Sequence, residues 1–85
     1  MYKEEITLTN ETGLHARPAS LFVKESAKYE SEIKLIKEGQ EYNGKSIMGI
    51  LSMGASKGDK LTIQAEGKDE EEAVKGLIEL LKKTE

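Results

Sequence analysis

The chain contains no cysteine and no tryptophan, and only one proline, one histidine and one phenylalanine. Without cysteine, disulfides and thiol chemistry are excluded. A zinc site generally takes three or four N, S or O ligands, and one histidine without cysteine makes a poor start on such a set. No stretch approaches the roughly 20 consecutive apolar residues of a membrane helix. Met1-Tyr2-Lys3-Glu4-Glu5 also lacks the apolar segment of a secretion signal, so a cytoplasmic protein with no membrane insertion is expected. Three tyrosines and one phenylalanine are too few for a base-stacking surface. The net charge of −3 opposes the clustered phosphate neutralisation on which nonspecific nucleic-acid binding rests. Repeats, low-complexity tracts and linkers are absent.

What remains is 85 residues, 36% hydrophobic and 34% charged, which fits one domain spanning 1–85 with a small core and a dense charged surface. A chain of this size buries roughly 60–65% of the surface that its unfolded form exposes. Three segments alternate as half-buried strands: EITLTN with Ile6 and Leu8 inward, SEIKLIK with Ile33 and Leu35, and DKLTIQAEG with Leu61, Ile63 and Ala65. A weaker strand, Gln40 to Asn43, follows a tight hairpin at Glu38-Gly39. One apolar and one polar face predict a sheet covered on one side.

Two segments carry helical period. From Ala16 to about Tyr29 the stripe is Ala19, Phe22, Val23, Ser26 and Ala27, and from Glu70 to about Lys83 it is Ala73, Val74, Leu77, Ile78 and Leu81. Asp69 with Glu72 reads as a capping box, and the acidic run 69–72 suits the positive end of the helix dipole. Ser46 is a plausible N-cap for one or two turns carrying Ile47, Met48, Ile50, Leu51 and Met53. If Ile50 and Met53 turn inward, Ile47, Met48 and Leu51 must lie at or near the surface, where small monomers seldom leave such a cluster unused. The expected order is β-α-β-β-α-β-α, an α+β layout with helices on one face of a mostly antiparallel sheet.

The lone histidine lies in TGLHARPAS, residues 12–20. Gly13 supplies a turn, Pro18 falls in the first helical turn where its missing N–H matters least, and His15 stands at the helix start. Free amides and the positive dipole end gather there, and Arg17 adds a planar set of donors. An imidazole beside such an anion site suits phosphohistidine chemistry: a ring nitrogen takes a phosphoryl group, and the donors hold its equatorial oxygens. The transferable N–P bond argues for a carrier rather than a hydrolase. Spacing couples neither Ser20 nor Glu11 to the ring as a triad. The GKS at 44–46 lacks the upstream glycine of a phosphate-binding loop, and no metal or cofactor is called for.

TGLHARPAS and KSIMGILSMG, at 45–54, resemble the active-site and regulatory-site motifs of HPr, the histidine-containing phosphocarrier family of the bacterial phosphoenolpyruvate:sugar phosphotransferase system. The resemblance covers essentially the whole chain. It implies an open-faced β-sandwich, a four-stranded antiparallel sheet with three helices on one face. It also implies that enzyme I phosphorylates His15 on Nδ1, that Arg17 steadies the phosphate, and that the group passes to IIA domains of sugar permeases. Thr12, Ala16, Ser20 and Lys24 would border the site, and Ile47, Met48 and Leu51 would form a docking patch that Leu21 joins.

Ser46 carries two readings, a bare N-cap or the serine modified by an ATP-dependent HPr kinase/phosphorylase. A phosphate there would sit at a favourable helix start, place negative charge against the docking patch, and open binding to a catabolite-control transcription regulator. The alternative function is a regulatory binding module acting only through Ser46 and the 47–51 patch; such relatives replace the active histidine, which this chain keeps. A third reading is a small adaptor whose histidine is incidental, and a carrier in a nitrogen-related relay is a neighbouring one. A monomer is expected. Gly44 stands where a larger aliphatic or alanine is usual in the family, and is expected to loosen the approach to the short helix. Tyr42 replaces a small β-branched residue. Both adjoin Ser46 and bear on kinase recognition.

Overall fold

The computed structural model describes residues 1–9 and 16–83, with the backbone alone at 16 and 17. The expected order is observed: β1 (Tyr2–Thr7), α1 (Ala16–Ser26), β2 (Glu32–Lys37), β3 (Gln40–Asn43), α2 (Ile47–Met53), β4 (Lys60–Glu66) and α3 (Glu70–Lys83). The strands form one antiparallel sheet in the order β1-β4-β2-β3. Sheet register sorts the side chains: Ile6 faces Leu61 and Leu35 faces Ile63, so the alternating apolar positions of neighbouring strands share a face. All three helices pack on that face.

The core is the meeting of these stripes. Phe22 of α1, Leu35 of β2, Ile50 of α2, Leu61 and Ile63 of β4, and Val74 and Leu77 of α3 are fully buried. Each such side chain contributes about 1.5–3 kcal/mol through removal from water. The opposite sheet face, with Lys3, Glu5, Lys34, Glu41, Thr62 and Gln64, is polar apart from Ile36, which pairs with Glu41 and Thr62. The β2–β3 turn is the predicted two-residue hairpin, with both Glu38 and Gly39 at positive φ. β1 begins at Tyr2, three residues before its alternation is legible, because Glu4 interrupts the apolar face between Tyr2 and Ile6.

Four expectations need correction. First, α1 ends at Ser26 rather than near Tyr29, and Ala27 is exposed instead of continuing the stripe. The chain tightens there: Lys28 N donates to Glu25 O and Tyr29 N to Ser26 O, i to i−3 bonds in place of i to i−4. Tyr29 donates its hydroxyl to Glu25 Oε2 at 3.0 Å, and its carbonyl accepts from Lys45 Nζ at 2.7 Å. Second, the capping box is not made by Asp69 with Glu72. The carboxylate that reaches back at the start of α3 is Glu70, accepting from Gly67 N, while Asp69 accepts from Glu30 N, Ser31 N and the Ser31 hydroxyl. Third, Leu80, left out of the predicted α3 stripe, is half-buried against the core; it stands at i+7 from Ala73 and i+3 from Leu77, on the same helical face. Fourth, Gly44 is not a loose spot. It is buried, its N–H donates to Ile33 O at 2.8 Å, and a Cβ there would come within 2.5 Å of Ile33 Cγ2.

Candidate functional site

His15 and Thr12 lie outside the described residues. What the structure places is the frame around them. α1 begins at Ala16, the residue after His15, with Pro18 inside its first turn. The first amides of a helix have no intrahelical acceptor, and the helix dipole adds positive potential at that end. The two long helices treat this end differently. α3 opens with Glu70, Glu71 and Glu72, whereas α1 has no acidic residue in its first turn. Nothing in the α1 sequence neutralises its positive end. Ala16 and Arg17 occupy that turn, and their side chains lie outside the described residues. Ser20 and Lys24 are exposed further along the same helix, and Leu21 is 38% exposed.

α2 packs against α1 and carries the second set of predicted residues. Ser46 is its N-cap as expected: in extended conformation, its Oγ accepts from Gly49 N at 3.2 Å, and its carbonyl accepts from Ile50 N. Ile50 and Met53 are buried, which fixes the rotation of the helix and leaves Ile47, Met48 and Leu51 outward at 36%, 73% and 39% exposure. From Ser46 to Ser56 the chain carries no ionisable side chain. The exposed face of α2 is therefore apolar without a charged fringe of its own, and α1, which packs against α2, exposes Leu21.

Several residues that position α2 escaped the sequence reading. Asn43 Oδ1 accepts from Lys45 N and Asn43 O from Ser46 N, so the Asn-Gly pair forms the turn that delivers Ser46 to the cap. Lys45 is anchored on Tyr29 O. At the other end, Asp59 Oδ2 accepts from Ser56 N at 2.8 Å and lies 3.4 Å from Lys37 Nζ, which also donates to Met53 O. The Ser56 amide, with Lys37 beside it, holds the Asp59 carboxyl below the ordinary carboxylate range. Leu8 N donates to Asp59 O and Gly58 N to Leu8 O, so the same knot ties the α2–β4 loop to the exit of β1. Asn-Gly and Ser-x-x-Asp are the local signals that could have found these ties; the lysine anchors have no local signal.

Among the described residues no group of three or more His, Cys, Asp or Glu is placed to hold a metal ion, and no helix is long and apolar enough to cross a membrane.

Residues 2–83 match the family model PTS-HPr, the PTS HPr component phosphorylation site. The HPr-like protein Crh of Halalkalibacterium halodurans is 42% identical over 83 residues, which span 98% of this chain and 99% of that protein. Among solved structures, HPr-C-His from Thermoanaerobacter tengcongensis superposes with a TM-score of 0.93 at 49% identity, over 96% of this chain and 92% of that one. Crh of Bacillus subtilis, solved as a domain-swapped intertwined dimer, gives a TM-score of 0.78 at 40% identity over 98% and 95% of the two chains. A dimer within this fold means that likeness of fold does not by itself make the chain a monomer.

Proposed function

The chain belongs to the HPr family of phosphotransferase-system carriers, and we propose that it works in the cytoplasm as a monomeric phosphocarrier, taking a phosphoryl group from phosphoenzyme I on His15 and handing it to IIA domains of sugar permeases. The observation that carries this reading is the start of α1 directly after His15, with no acidic residue in its first turn to compete for an incoming anion. The imidazole nitrogen forms the N–P bond as the bond to the enzyme I histidine breaks. The helix amides and Arg17 balance charge on the equatorial oxygens, and the group leaves intact for the next acceptor. Ile47, Met48, Leu51 and Leu21 form the docking face, with Ser20, Lys24, Thr12 and Ala16 at its border.

Incubation with enzyme I and labelled phosphoenolpyruvate tests the reading. Acid-labile, alkali-stable label on the wild type and none on His15→Ala is the expected result; equal labelling of the two proteins overturns it. Arg17→Ala is expected to slow transfer without moving the melting temperature.

A second reading is favoured by the likeness to proteins named Crh, one of them from Halalkalibacterium halodurans. In it the chain acts through Ser46. An HPr kinase/phosphorylase would phosphorylate the hydroxyl, and the modified face would bind a catabolite-control transcription regulator. Ser46 at the N-cap suits the modification, since a phosphate there keeps an acceptor for the helix amides and meets the favourable end of the dipole. The two readings coexist if both residues take phosphate. A wild type that enzyme I leaves unlabelled while the kinase labels Ser46 would leave only the second.

A further inference from the structure

Among the described residues Met48 is the most exposed large apolar one, at 73%, whereas Met53, one and a half turns along the same helix, is 5% exposed. The first lies on the face assigned to docking, the second in the core. Met1, the third methionine, is 67% exposed, but it sits at the head of α3, where its α-amino group is 2.9 Å from Glu70. The chain has no cysteine, so no thiolate is present to intercept an oxidant first. Within 46–56 there is also no charged side chain to partner a new polar group.

We infer that Met48 is an oxidation site, and that conversion of its thioether to the sulfoxide by a peroxide weakens docking of this protein onto enzyme I. In the step, one oxygen passes from the peroxide to sulfur. The O–O bond breaks, an S–O bond forms, water leaves with hydrogen peroxide as oxidant, and sulfur loses the two electrons that the peroxide gains. Two thiols of a sulfoxide reductase reverse it, ending as a disulfide with release of water. The sulfoxide is polar and chiral, and burying it against an apolar partner surface leaves its oxygen without a donor. The fold is spared, since the inward face of α2 rests on Ile50 and Met53, not on Met48. The inference rests on the carrier reading above.

The test is limited treatment with hydrogen peroxide, followed by peptide mass mapping, thermal melting and enzyme I-dependent phosphorylation kinetics on treated and untreated protein. Met48 is expected to gain oxygen well before Met53, the melting temperature to hold, and the KM for this protein as substrate of enzyme I to rise about tenfold with kcat little changed. Met48→Leu, compared with its own untreated form, is expected to show no such rise although Met1 remains oxidisable, and a methionine sulfoxide reductase is expected to restore the wild type. A fully Met48-oxidised wild type with unchanged KM overturns the inference. So does a Met48→Leu variant that loses as much on treatment as the wild type, or a Met53 that oxidises as fast as Met48. An untreated protein that takes no phosphate from enzyme I overturns the carrier reading and this inference with it.

Discussion

Asp69 stands at the head of α3, yet its carboxylate faces a turn 38 residues away, accepting from the Ser31 hydroxyl and from the amides of Glu30 and Ser31. The Ser31 hydroxyl, then those amides, hold this carboxyl below the ordinary range. A folded value below the unfolded one means that the stabilisation is complete above the ordinary carboxylate range and is lost as pH falls through the lowered folded value. The urea midpoint of wild type is therefore expected to exceed that of Asp69→Asn from neutral pH down to about pH 5, with the gap closing toward about pH 2. Equal midpoints at neutral pH would show that the clasp contributes nothing. Ser26 is the converse case: it is fully buried, and its hydroxyl has no hydrogen-bond partner among the described residues. Ser26→Ala removes an uncompensated polar group from the core and substitutes a better helix former. Stability is expected to rise by about 1 kcal/mol, read by thermal or urea melting. A sequence pattern marks both residues only as helix positions. Whether a hydroxyl or a carboxylate finds a partner depends on a segment that folding brings from elsewhere.

Among the elements, α2 separates a core face from the face proposed for docking most cleanly. Its inward residue Ile50 is fully buried and its outward residue Met48 largely exposed. Ile50→Ala is expected to cost about 2–4 kcal/mol in urea unfolding. Met48→Ala should stay within about 0.5 kcal/mol of wild type while weakening transfer from enzyme I. Similar destabilisation by both would mean that the helix is rotated from the orientation described. This division was legible beforehand, because five large apolar residues on two turns cannot all face one sheet. The ends of the helices were less so. α1 stops at Ser26, although its apolar spacing continues to Ala27, because Tyr29 is drawn onto Glu25 and its carbonyl onto Lys45. Gly44, read as loose, is held by the close approach of Ile33. Periodicity reports which face an element buries; its end is decided by whatever competes for the last turn.

For the molecule as a whole, strand order is the feature that no local pattern contains. β1 and β4 are neighbours although most of the chain lies between them, and β4 also pairs with β2, so the last strand is inserted at the sheet centre. Every strand thereby finds its partners within one chain. A swapped dimer would re-form the same pairs between two copies and add new contacts only at the hinge, while association costs translational and rotational entropy. Light scattering behind gel filtration at low micromolar concentration is expected to give the mass of one chain; a dimer mass would set this protein beside the swapped relative. The number and type of elements, most of the inward residues of each strand and helix, the Ser46 cap and the apolar surplus of α2 were determined by the sequence itself, since period, capping chemistry and residue size act within a few neighbouring positions. The sheet order, the Asp69–Ser31 clasp, the anchoring of α2 by Lys45 and Lys37, and the true end of α1 were decided only by the tertiary structure. Each depends on groups far apart in the chain, whose meeting follows from how the whole core closes.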